Sequence, residues 1–127
     1  MNFKLTSLAS AVVLAMMATG AAAEGDAKKG AKVYKKCKAC HDVKKEKNKV
    51  GPHLVNIMGR TAGTIEGFKY SKVMAESGIV WDEANLDAFL TKPKKFMKGT
   101  KMSFPGLKKE KQRQDLIAYF KSLQSDG

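Results

Sequence analysis

The sequence predicts an all-α domain, four or so helices joined by long loops that wrap one central apolar group. Three observations point there. Four stretches read as helices, three with a capping residue in front and the first and last with apolar residues spaced along one face. No segment alternates in the manner of a half-buried strand. Residues 42–70 and 92–107 are long and irregular for a compact domain, so something other than secondary structure must organise them, and a large apolar group at the centre would give them a surface to pack on.

The elements follow in order. Asp26 caps a helix predicted over Ala27–Cys37, with Gly30, Val33, Tyr34 and Cys37 on one face. Asp42–Val50 is a charged surface loop ending at Gly51-Pro52, and Gly59, Gly63 and Gly67 punctuate the stretch beyond it. Ser71 caps a short helix to Ser77, stopped by Gly78. Asp82 caps another through Leu90, which must end before Pro93 because the residue preceding a proline is pushed out of the helical region. The last helix, Lys109 to Leu123, sets Leu116, Tyr119, Phe120 and Leu123 on one face.

At 127 residues the chain has room for one domain, and 43% hydrophobic residues exclude wholesale disorder. Two cysteines are too few for a disulfide scaffold. Residues 1–23 stand apart. Met1-Asn2-Phe3-Lys4 is a short positive region, Leu5 to Ala18 is apolar, and Thr19 to Ala23 ends in small residues. That is the pattern of a signal peptide cleaved after Ala23, leaving residues 24–127 as the mature domain. As a membrane anchor the apolar run is short, about 14 residues against the roughly 20 that a bilayer needs. The expected location is the periplasm, without stable membrane insertion.

Cys37-Lys38-Ala39-Cys40-His41 carries the chemistry, because Cys-x-x-Cys-His is the covalent haem c attachment motif. Two thiols two residues apart at a helix end can reach the two vinyl groups of a porphyrin, and the next residue turns its imidazole beneath the ring. Rival readings lack their context. A thioredoxin-type pair expects a preceding strand. Beyond the motif's Cys37, Cys40 and His41, the mature chain offers a zinc site only His53. A disulfide across two residues closes too small a loop to stabilise much. The second axial ligand must come from Met58, Met74, Met97, Met102 or His53. Met102 stands out because Gly99-Thr100-Lys101-Met102-Ser103-Phe104-Pro105-Gly106 is irregular, bracketed by glycines and far downstream, whereas His53 follows the first ligand closely and stays near its side of the ring.

These segments, with Val50-Gly51-Pro52-His53-Leu54, Gly59-Arg60, Gly67-Phe68-Lys69-Tyr70-Ser71, Trp81 and Pro93-Lys94-Lys95, make the chain resemble a class I c-type cytochrome over roughly residues 25–124. The resemblance implies one haem c bound through Cys37 and Cys40, with His41 and Met102 on the iron. It implies that Pro52 accepts the His41 ring N–H, that Arg60, Tyr70, Ser71 and Trp81 meet the propionates, and that Thr100 and Phe104 flank the methionine loop. Gly30, Tyr34, Leu116 and Tyr119 match the packed crossing of the terminal helices. Two positions depart from the family pattern. Phe89 stands where many relatives carry tyrosine, and Met74 where many carry asparagine, so a drier pocket beside Met102 is expected.

The function implied is that of a single-electron carrier and not an enzyme, a monomer receiving electrons from a quinol–cytochrome c oxidoreductase. Its acceptor would be a terminal oxidase, a photosynthetic reaction centre or a reductase. The formal charge of +12 suits acidic partners, and Lys36, Lys94, Lys95, Lys101, Lys108 and Lys109 lie in segments adjoining the attachment motif or the methionine loop. Two other classes fit less well. A nucleic-acid binder explains the charge but neither the leader nor the haem motif. A haem protein with peroxidase-like activity needs a labile sixth ligand and a distal acid–base group.

Overall fold

Asp26 opens the fold as an N-cap, its carboxylate accepting the backbone N–H groups of Lys28 at 2.9 Å and Lys29 at 3.2 Å. The computed structural model describes residues 25–125, and the leader predicted over residues 1–23 lies outside the described residues. Five α-helices follow: α1 (Ala27–Val33), α2 (Lys72–Glu76), α3 (Glu83–Thr91), α4 (Pro93–Phe96) and α5 (Glu110–Leu123). The class is all-α, as the sequence predicts, and the described residues contain no strand beyond an isolated bridge between Thr61 and Val80.

Two boundaries differ from the sequence reading. The first helix is α-helical only to Val33 and then tightens into a 3₁₀ turn over Tyr34–Lys36, closed by Cys37 N–H on the Tyr34 carbonyl at 2.7 Å. The tighter turn delivers the first cysteine at its end. The stretch expected to be irregular after Lys92 contains α4, a single turn started by Pro93, whose fixed φ suits a first helical position. The other caps are those the sequence names. Ser71 Oγ accepts Met74 N–H at 3.2 Å, and Asp82 Oδ1 accepts Asn85 N–H at 2.8 Å.

α1 crosses α5 at Gly30, which is buried against the Asp115 carbonyl and the Tyr119 Cβ so closely that an added Cβ would collide with both. Tyr34 packs on Tyr119 and Phe120 with ring centroids 5.7 and 6.3 Å apart. Asp115 locks the crossing, accepting Asp26 N–H at 2.8 Å and pairing with Lys111 one turn earlier on α5. Two buried charges here escaped the periodicity, Asp115 and Arg113. Arg113 bonds Asp87 of α3 at 2.7 Å and the carbonyls of Leu107 and Lys108 at 2.9 and 3.0 Å, stitching α5 to α3 and to the end of the long loop. Elsewhere the loops hold by backbone pairs, Trp81 N–H to the Arg60 carbonyl and Gly59 N–H to the Trp81 carbonyl. Among the described residues no helix is long and apolar enough to cross a membrane.

Candidate cofactor site

The helices and loops enclose a cavity of about 410 Å³. That volume falls in the usual range of roughly 300–1,000 Å³ for a buried small-molecule site. Its walls are largely apolar: Leu54, Ile57, Leu86, Phe89, Leu90, Leu116 and Phe120. The residues that the resemblance assigns to the cofactor all line it, whereas of the other candidate ligands His53, Met58 and Met97 do not. Cys37, Cys40, His41 and Pro52 come from the first half of the chain, Arg60, Tyr70, Ser71 and Trp81 from the middle, and Thr100, Met102 and Phe104 from the last loop. Residues 65 positions apart thus meet at one space, Cys37 and Met102 being the extremes of the sulfur donors.

The His41 ring is held on several sides. Its Nδ1 lies 2.6 Å from the Pro52 carbonyl, which can only accept, so Nδ1 carries the proton and Nε2 keeps a free lone pair. Burial lowers its pKa, partly opposed by the Pro52 bond, and so favours the neutral imidazole that a metal needs. Gly51 lies close against the ring, where a Cβ would strike Cε1, and its N–H donates to the Cys40 carbonyl at 2.7 Å. The His41 carbonyl accepts the Tyr34 hydroxyl at 2.8 Å; burial, chiefly, pushes that phenol up to about 12.

Cys37 and Cys40 are free thiols at the cavity's edge, half-buried and exposed respectively. Burial pushes Cys37 up to about 11, which keeps it protonated and poorly suited to thiol–disulfide exchange. Arg60 spends two donors on the backbone, NH1 to the Val55 carbonyl at 3.1 Å and NH2 to His53 at 2.9 Å, and still borders the cavity. Trp81 is 6% exposed, and no hydrogen bond among the described residues engages its indole N–H. The Tyr70 hydroxyl accepts Ile65 N–H at 3.2 Å. Phe89 and Met74 both line the space, Phe89 wedged between Trp81 and Phe96 with centroids 5.1 and 6.2 Å away.

His53 does not line the cavity. It is buried behind the His41 loop, where its Nδ1 accepts Val55 N–H at 3.3 Å and its own N–H reaches Asn48 Oδ1 at 3.0 Å. Asn48 also donates to the Glu66 carbonyl at 3.4 Å, so one side chain ties two long loops together. Sequence reading passed over Asn48 inside a lysine-rich run, and passed over the contact role of Gly51. A glycine directly before the histidine-holding proline was the available signal. The lysines divide: Lys36 and Lys101 border the cavity, while Lys94, Lys95, Lys108 and Lys109 are exposed.

A family model described as cytochrome c matches residues 27–124. The chain belongs to the cytochrome c family. Cytochrome c-554 of Methylosinus trichosporium is 42% identical over 127 residues, covering 99% of this chain and 96% of its own. Cytochrome c2 of Rhodoblastus acidophilus is 45% identical over 104 residues, 81% of this chain and 97% of its own. In the solved structure of cytochrome cH from Methylobacterium extorquens the same fold recurs with a TM-score of 0.74 at 45% identity, over 77% of this chain and 99% of that one. The fold is therefore the class I cytochrome c arrangement, the cofactor is haem c attached covalently through Cys37 and Cys40, and the general activity is electron transfer. The cavity fits that group: an apolar envelope, two free thiols at its edge and an imidazole with its Nε2 lone pair unspent.

Proposed function

We propose that this cytochrome c is a monomeric, periplasmic single-electron carrier, exported by a leader cleaved after Ala23, with His41 and Met102 as axial ligands. It takes electrons from a membrane quinol–cytochrome c oxidoreductase and passes them to a terminal oxidase, a photosynthetic reaction centre or a reductase. The observation that carries the reading is that a fixed, neutral His41 and the thioether of Met102 border the same apolar cavity.

Haem c supplies the one-electron couple. The protein's share is to hold the ligands still and keep water out. The Pro52 carbonyl fixes the His41 tautomer, and Gly51, by lacking a side chain, leaves the ring room beside it. A methionine paired with histidine raises the reduction potential relative to harder ligands. Arg60, Tyr70, Ser71 and Trp81 bring polar groups to the lining and are assigned to the propionates; Thr100 and Phe104 brace Met102, whose N–H donates to Thr100 Oγ1 at 3.3 Å. A non-enzymatic role fits the histidines. Of the two in the chain, His41 is spent on the cofactor and His53 is buried outside the cavity. The export leader rests on the sequence of residues 1–23, a positive start, an apolar run and a small-residue end. The lysines bordering the cavity supply a basic rim for acidic partners.

The test is a visible spectrum of protein purified from a host that attaches haem c, together with the mass of its N-terminal peptide. Sharp reduced c-type bands, a weak far-red band of methionine sulfur on ferric iron, and an N-terminus at Glu24 are expected. Haem bands without the far-red band would remove Met102 from the iron, and an intact Met1 in the periplasmic protein would remove the cleavage site.

A further inference from the structure

Met102 is not the only thioether in the cavity. Met74, on α2, lines it too. The two are held very differently. Met102 sits in a segment without regular structure, its own N–H bonded at 3.3 Å to the Thr100 hydroxyl two residues away. Met74 is clamped on both sides of its peptide. Ser71 Oγ accepts its N–H at 3.2 Å, and its carbonyl accepts the Ser77 hydroxyl at 2.9 Å and the Ser77 N–H at 3.3 Å. Gly63, at φ +74, packs so tightly behind it that an added Cβ would lie 2.7 Å from the Met74 carbonyl oxygen. The backbone has nowhere to go, and the half-buried side chain borders the cavity.

The remaining lining offers no comparable donor. Its hydrocarbon walls have none; the hydroxyls of Tyr70, Ser71, Thr100 and Ser103 are harder donors, the first three accepting backbone N–H groups; and His41 and the two cysteines are taken up by the cofactor. Lys36, Lys69 and Lys101 end in ammonium groups, which have no lone pair to give. A thioether has one. We propose that Met74 is a reserve axial ligand. With haem c bound and the Met102 loop displaced, Met74 Sδ would replace Met102 Sδ on the iron, one thioether bond exchanged for another with no proton or electron moved. The inference rests on the assignment of Met102 as the resident ligand.

The experiment compares far-red absorption of the ferric full-length haem protein as wild type, Met74→Leu, Met102→Ala and Met102→Leu, and with both positions changed. Alanine leaves room for Met74 to approach; leucine preserves volume should the alanine variant fail to fold. The proposal expects the methionine band to persist, shifted, in at least one Met102 variant and to vanish when Met74→Leu is added. Loss of the band in both Met102 variants while Met74 is present overturns the proposal and leaves the resident assignment standing. A band that Met74→Leu alone abolishes, or that survives the double change, overturns the resident assignment and the reserve role with it.

Discussion

Gly51 shows how much a site depends on an atom that is absent. The His41 imidazole rests on its backbone, and any side chain there meets the ring before it meets anything that can yield. Replacing Gly51 by alanine should therefore cost about 1–3 kcal/mol in denaturant unfolding, the usual range for overpacking a tight site. Because the ring must tilt away from the Pro52 carbonyl, the same variant should change the reduction potential, read by redox titration. A variant with unaltered stability and potential would show that the contact is slack. Individual residues were legible to different degrees. Cys37, Cys40 and His41 declare themselves by spacing alone. Arg60 and Asn48 do not, because their partners are backbone carbonyls and N–H groups of loops whose path no local pattern dictates.

Helix starts at Asp26, Ser71 and Asp82 were readable because a cap is a local bond between a side chain and an N–H two or three residues ahead. The 3₁₀ turn and α4 were not, since both depend on where the chain must go next. The α1–α5 crossing lies between these cases: apolar spacing names its faces, while the buried Asp115 makes sense only once Asp26 is 2.8 Å away. The pKa of Asp115 is lowered. Burial alone would raise it, but the Asp26 N–H and the Lys111 ammonium outweigh that. A carboxylate with a depressed folded-state pKa stabilises the protein fully above its unfolded value near 3.8, and that contribution is lost as pH falls through the folded value. Asp115→Asn should thus be less stable than wild type by about 1–3 kcal/mol at neutral pH, the scale for a charge-assisted hydrogen bond. Thermal melts at falling pH should show the gap closing below 3.8, and a gap constant down to strong acid would place the stabilisation elsewhere.

At the scale of the whole molecule, a formal charge of +12 would draw acidic partners to any face unless the charge is also placed. Placement is visible in the folded chain: Lys36, Lys69 and Lys101 border the cavity, whereas Lys28, Lys29 and Lys32 are exposed on α1. Net charge and local charge can be separated with two small redox probes, one anionic and one cationic. Oxidation by the anion should slow by roughly ten- to a thousandfold from low to high salt, because steering weakens as the Debye length falls from about 30 Å at 0.01 M to about 3 Å at 1 M. Oxidation by the cation should accelerate over the same range. Lys101→Glu and Lys28→Glu each lower the net charge equally, so a molecule that acts as a uniform sphere responds to them alike. A rim that steers partners to the cofactor instead makes Lys101→Glu the stronger at low salt and the two indistinguishable near 1 M. Equal slowing at low salt would mean that the lysines keep the protein soluble and do not aim it.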